Sequence, residues 1–217
     1  MKQVLILVNP QKPGAREVAG TLCPWLADRV TVETMDLSDQ PIETGPDLVV
    51  VLGGDGSILR AAHMLAGREI PVVGINLGKL GYLAEFSSDA FCEKFPDILA
   101  GRMPVSRRLM LSARCETAGG PATEHLVLND VILAGGEPHR MVGIAVSVDG
   151  EAVTTYYGDG VLVSTPTGST AYCLGAGDRV VVRRAASSFL LVQRGRRETF
   201  ATLSQKLHWG HGPKYGA

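Results

Sequence analysis

An aspartate stands among three glycines in "VVVLGGDGSILRAAHML", Val49 to Leu65. The apolar run ends in Gly53-Gly54-Asp55-Gly56-Ser57 and turns directly into a segment with helical apolar spacing. In parallel α/β sheets, ligands gather at the carboxyl ends of the strands. Glycines let backbone N–H groups come close to a phosphate, and the helix N-terminus that follows adds partial positive charge. No Gly-Lys-Ser/Thr follows, so this is not a P-loop, and GxGxxG is absent as well. A carboxylate inside a phosphate cradle repels phosphate unless it binds Mg²⁺ or takes a proton from a hydroxyl. Both tasks belong to phosphoryl transfer. The other reading is a tight strand-to-helix turn with Asp55 as the helix cap.

A second stretch, "GDGVLVSTPTGSTAY" from Gly158 to Tyr172, feeds a strand over Val161 to Ser164 into a polar loop. Hydroxyls and N–H groups at this density suit phosphate or ribose, and equally a solvated turn. Between the two loops, "VLNDVIL" places Asn129-Asp130 inside an otherwise apolar strand. An adjacent amide and carboxylate can read an adenine edge or a ribose diol, or can simply pair with neighbouring backbone groups.

The elements that must position these residues follow from the apolar patterning. "VLILV" (Val4 to Val8), "DLVVVLGG" and "IPVVGINLG" (Ile70 to Gly78) are continuous apolar runs, as in buried parallel strands, and "VTVETMD" (Val30 to Asp36) alternates like a strand. Val18, Leu22, Trp25 and Leu26 mark a helix that Pro24 should kink or break, and Ile58, Leu59, Ala62 and Leu65 mark another that stops near Gly67. Such alternation is the pattern of right-handed crossovers over a parallel sheet. Beyond Pro104 the period changes to two: Leu109, Leu111, Ala113 and Cys115 share one face, as do Val142, Ile144, Val146 and Val148. Asp149-Gly150 then supplies a hairpin turn. The boundary is therefore set near residue 105, α/β before it and antiparallel β after it.

Composition narrows the functional classes. Hydrophobic residues make up 45% of the 217-residue chain and the formal net charge is −1, so the balance gives no whole-chain argument for nucleic acid or a membrane surface. Four cysteines lie far apart, with no CxxC and no histidine at ligand spacing, which points to reduced thiols. His63 reads as structural and Arg107-Arg108 as a solvated strand end.

In order and separation, "GGDGS", "GINLGKLGYLAEF", "LNDVIL" and "GDGVLVSTPTGSTAY" resemble the NAD kinase family, over roughly Val4 to Gly177. The resemblance implies an N-terminal Rossmann-like α/β domain followed by an antiparallel β-sandwich, with the active site between them. It implies transfer of the terminal phosphate of ATP, or of polyphosphate, to the adenosine 2′-hydroxyl of NAD, with a divalent metal such as Mg²⁺. Asp55 would be the general base, with Gly54, Gly56 and Ser57 in the phosphate loop. Asn129 and Asp130 would hold the NAD ribose and adenine region, and Tyr82 would line the NAD pocket. Asp159 would contact the nicotinamide end, Thr170, Ala171 and Tyr172 would contact the adenine side, and Thr167 completes the binding set. The enzyme so implied is a cytoplasmic homo-oligomer acting on small molecules. Other readings are a dinucleotide-binding module without turnover, and a lipid or sugar kinase sharing only GGDG.

After Tyr172 a block like "SLSAGGP" is replaced by "CLGAGDR", with Gly175, Asp178 and Arg179 departing from it, and from Asp178 on the resemblance ends. Residues 178–217 carry eight Lys/Arg against two Asp/Glu, a net of +6, and the preceding residues carry −7. The expected organisation is thus 1–104 as the α/β phosphate-binding domain, 105–177 as a partial β-sandwich that binds NAD, and 178–217 as a divergent basic tail. An altered reading frame or a basic extension would account for that tail.

Overall fold

In the computed structural model, which describes residues 2–38, 40–78, 81–117, 119–134, 142–148, 151–170, 189–195 and 198–200, the two longest apolar runs lie side by side. The chain forms two units, Met1–Arg107 and Arg108–Ala217.

In the first unit the elements run β1 (Gln3–Val8), α1 (Ala15–Ala27), β2 (Thr31–Asp36), β3 (Leu48–Leu52), α2 (Asp55–Met64), β4 (Val72–Ile75) and α3 (Ser88–Leu99). The strands make one sheet in the order β2-β1-β3-β4, every pairing parallel. Residues Val4–Val8 and Leu48–Leu52 are all 2% exposed or less, so both faces of these strands are covered. The alternation of side chains divides them between two layers. Val4, Ile6, Val8, Leu48, Val50 and Leu52 pack with α1 and α3, while Leu5, Leu7, Val49 and Val51 pack with α2. Each fully buried aliphatic side chain contributes about 1.5–3 kcal/mol, which makes β1 and β3 the frame on which the glycine loop is mounted.

Three local expectations are corrected. Helix α1 runs through Pro24 to Ala27 without breaking, because Leu22 and Leu26 are buried on either side of it and hold the last turn. The buried stripe of α2 is Ile58, Ala61 and Met64, with Leu59 and Ala62 only half-buried. Helix α3 was not anticipated, although Phe91, Phe95 and Ile98 are buried at helical spacing and Ser87 caps the N-terminus by accepting from Ala90 N–H at 3.2 Å. Ser87→Ala should therefore destabilise the first unit by about 1 kcal/mol, readable as a lower denaturation midpoint with an unchanged denaturant slope.

The second unit contains β5 (Leu111–Cys115), β6 (Thr123–Val127), β7 (Asp130–Ala134), β8 (Val142–Val148), β9 (Glu151–Ser164), β10 (Phe189–Gly195) and β11 (Glu198–Phe200). β5 and β6 form an antiparallel pair. The long strand β9 organises the other sheet: its first half pairs with β8, and its second half lies between β7 and β10, all antiparallel. β11 joins β8 in parallel, a departure from the all-antiparallel expectation. Val142, Ile144, Val146, Val161 and Val163 form the core, and half-buried Leu111 of the smaller sheet packs against it. Cys115, expected inward, is exposed at the end of its ladder. The hairpin turn expected at Asp149-Gly150 lies outside the described residues.

Candidate active site

The loop after β3 is positioned by the sheet edge. Gly53 N–H donates to Ile75 O of β4 at 3.0 Å, and Gly54 is the extended N-cap residue of α2, with no side-chain cap. Asp55 is thus the first helical residue and not the cap, which corrects the bland reading of its carboxylate. That carboxylate turns away from its own helix and accepts from three successive amides of another segment. Tyr82 N–H donates to Oδ2 at 2.9 Å, and Leu83 and Ala84 N–H donate to Oδ1 at 3.0 Å each. In the first turn of α2, Ser57 N–H donates to Gly54 O at 2.9 Å, and the dipole at this end of the helix favours an anion.

Ser57, expected among the phosphate contacts, is 4% exposed. Its hydroxyl accepts from Asn9 Nδ2 at 2.9 Å, while Asn9 Oδ1 accepts from Gln11 N–H at 3.0 Å. Asn9 therefore joins the end of β1 to the start of α2. Sequence reasoning used it only as the stop of a strand; an amide next to a proline at the carboxyl end of a buried parallel strand was the available signal. Tyr82 is exposed, at 56%.

In the second unit the hydroxyl-rich loop proves to be internally bonded. Ser164 and Thr165 are fully buried, and Thr167 is 7% exposed. Thr165 Oγ1 donates to Leu128 O at 2.6 Å and accepts from Gly168 N–H at 3.0 Å, while its own N–H donates to Asn129 O at 2.7 Å. Ser164 Oγ donates toward Asn129 O at 3.3 Å and Thr165 O at 3.0 Å. These hydroxyls stitch the loop to residues 128–129, so they are not the freely offered phosphate donors that their density suggested. Gly168 makes the approach possible: a β-carbon there would lie 2.5 Å from both the Asn129 carbonyl carbon and Ser164 Oγ. Replacing Thr165 by valine keeps the shape but strands Leu128 O and Gly168 N–H. At about 1–3 kcal/mol for each buried orphan, Thr165→Val should lower the melting temperature by several degrees, as read by circular dichroism.

The stitching breaks the strand expected through "VLNDVIL". β6 ends at Val127 and β7 begins at Asp130, because the carbonyls of Leu128 and Asn129 bond to the loop and not to a ladder. Asn129 and Asp130 are thereby held side by side at the start of β7. Among the described residues, Asn129 Oδ1 and Asp130 Oδ2 are buried without a hydrogen bond. Burial pushes the Asp130 carboxyl above its ordinary value. Orphaned acceptors on two consecutive residues are costly unless a ligand supplies the donors.

Asp159 is exposed on β9, and Thr170 closes the short 3₁₀ turn Gly168–Thr170. Arg108, expected as solvated, reaches Thr167 Oγ1 at 3.5 Å. Ala171 and Tyr172 lie outside the described residues. No group of three or more His, Cys, Asp or Glu among the described residues could hold a metal ion, so these side chains do not fit a protein-caged metal. No helix among the described residues is long and apolar enough to cross a membrane.

Comparison with known proteins places these loops in context. The family described as ATP-NAD kinase N-terminal domain matches residues 34–103, and that described as ATP-NAD kinase C-terminal domain matches residues 128–192. The second match runs past residue 177, where the motif resemblance stops. An NAD kinase of Geobacter metallireducens is 38% identical over 83% of this chain and 68% of its own length. One of Magnetococcus marinus is 42% identical over 83% of this chain and 65% of its own. Among solved structures, yeast NADH kinase complexed with NADH aligns with a TM-score of 0.77 at 27% identity, covering 90% of this chain and 63% of that one. An Archaeoglobus fulgidus NAD kinase in complex with ATP aligns at 0.61 and 25% identity, over 89% and 77%. The chain thus spans about two thirds of the length of the curated relatives it matches.

Proposed function

Since this chain belongs to the NAD kinase family, a family of phosphotransferases, we propose that it transfers the terminal phosphoryl group of ATP or polyphosphate to the adenosine 2′-hydroxyl of NAD, giving NADP. The observation that carries this reading is the pair of buried, unpartnered oxygens on Asn129 and Asp130. They ask for donors on two adjacent polar groups, as the hydroxyls and exocyclic amine of an adenosine provide.

In the proposed reaction Asp55 takes the 2′-hydroxyl proton as that oxygen attacks the terminal phosphorus. The bond to the leaving phosphate oxygen breaks in line, and the charge stays on the donor. The glycine loop and the helix N-terminus of α2 hold the phosphates beside the reacting phosphorus. In this reading Tyr82 lines the NAD pocket, Asp159 contacts the nicotinamide portion, Thr167 belongs to the binding set, and Thr170, Ala171 and Tyr172 would contact the adenine side. By this division residues 1–104 bind phosphate and 105–177 bind NAD, while β10 and β11 of the sheet fall within the divergent, basic 178–217. A divalent ion such as Mg²⁺ would ride on the donor's phosphates, where it ordinarily binds. A homo-oligomeric cytoplasmic enzyme acting on small molecules completes the proposal.

The acceptor range tests it. Given ATP and Mg²⁺, the protein should phosphorylate NAD and leave diacylglycerol, a sphingoid base and fructose 6-phosphate unchanged. Transfer to any of these in place of NAD would reassign the glycine loop to a different kinase chemistry. Replacing ATP by polyphosphate in the same assay identifies the donor.

A further inference from the structure

Three consecutive amides converging on one side chain from 27 to 29 residues away is an arrangement no local capping rule calls for. The donors come from a loop that is itself fixed. Gly81 N–H donates to Ala84 O at 3.2 Å, Asn76 N–H to Phe86 O at 2.8 Å, and Phe86 N–H to Gly74 O at 3.2 Å. Ala84 is fully buried, and a β-carbon at Gly74 would lie 2.9 Å from its Cα. The loop is thus anchored on β4, next to the strand that delivers Asp55. The tightest approach is at Gly81. A β-carbon there would clash with Asp55 Oδ1 and would lie 2.7 Å from Cγ and 2.9 Å from Oδ2. The carboxylate has no easy retreat, because moving it breaks bonds to Tyr82, Leu83 and Ala84 together.

We propose that Gly81, with the amides of Tyr82, Leu83 and Ala84, is the positioning element that sets the Asp55 carboxylate against the reacting hydroxyl. This rests on the phosphoryl-transfer reading and adds to it a residue acting only through Asp55. Glycine is needed because the carboxylate occupies the space of a side chain at position 81. The amides fix which way the carboxylate faces, and a proton acceptor works only within hydrogen-bond reach of its proton. A misplacement of about 1 Å can cost on the order of 10²-fold in rate.

The test is a double-mutant cycle with an exchange measurement beside it. Gly81→Ala should lower kcat by about 10–10²-fold and change the KM for NAD and for the donor by less than about threefold, with the protein still folded by circular dichroism. In an Asp55→Ala background the same substitution should cost nothing further, because its effect passes through the missing carboxylate. Equal losses in both backgrounds would overturn the proposal, since a merely structural glycine acts regardless of Asp55. Independently of turnover, the Leu83 and Ala84 amides should exchange hydrogen slowly in the unaltered protein and about tenfold or more faster in Asp55→Ala. Unchanged exchange would remove the tether itself. Failure of the underlying reading shows differently: the unaltered protein would form no NADP while the exchange result stood.

Discussion

Asp55→Asn is expected to lower turnover by about 10²–10⁴-fold, the usual share of a general base, with NAD affinity little changed. The geometry makes asparagine a discriminating substitution. Its amide oxygen can take the place of Oδ1 and keep the bonds from Leu83 and Ala84, so two of the three tethers survive. Only the Tyr82 amide meets an N–H group where Oδ2 stood. Tyr82 is exposed, so water can satisfy what is lost. The variant therefore keeps most of the tether and loses the proton acceptor. Near-normal turnover would make Asp55 a loop fastener and nothing more. Recovery of most of the lost rate at high Mg²⁺ would reassign it to metal binding. Steady-state kinetics over a range of NAD and Mg²⁺ concentrations separates these outcomes.

Asp130→Asn is expected to weaken NAD binding by about 10–100-fold, the range for losing a hydrogen bond to a charged group, and to change kcat less. Asp130 is only half-buried as a residue, but its Oδ2 is out of reach of solvent and has no described partner. Its carboxyl is raised above 3.8 by burial, so the folded state disfavours the ionised form. The protein is relatively most stable with Asp130 protonated, below that ordinary value, and this advantage is lost as the pH rises through the raised one. At neutral pH the apo asparagine variant should accordingly melt at or slightly above the unaltered protein, and the difference should shrink as the pH falls toward 4. Weaker binding with undiminished stability is the signature of a group kept for a ligand. Calorimetric titration with NAD and melts across pH read both halves. Unchanged affinity would remove Asp130 from the site.

The strands of the first unit were legible because burial on both faces writes itself as continuous apolar sequence, as in Val4–Val8 and Leu48–Leu52. The glycine loop was legible for the same reason: it ends such a run and opens a helix. What could not be read locally was the partner of each polar group. Asn9 meets Ser57 across 48 residues, and Thr165 meets Leu128 across 37. Nothing in "VLNDVIL" alone shows that its carbonyls are taken by a distant loop, so it read as a single strand. Likewise the sequence singled out Asp55 as a candidate base but not the amides that hold it. Helix α3 had visible spacing and a serine cap, and was passed over beside the neighbouring motif. In the hydroxyl-rich loop the Ser164, Thr165 and Ser169 hydroxyls serve the fold, and the orphaned oxygens beside it are the more telling feature.

The central claim is transfer of a phosphoryl group to NAD by this chain. Its most direct measurement is the product formed when the purified protein is incubated with NAD, ATP or polyphosphate, and Mg²⁺, and resolved by mass spectrometry and phosphorus NMR. The account predicts a single new species, NADP with its phosphate on the adenosine 2′-oxygen, at a rate that falls sharply in Asp55→Asn. A folded protein that binds NAD and yields no NADP with either donor would contradict it.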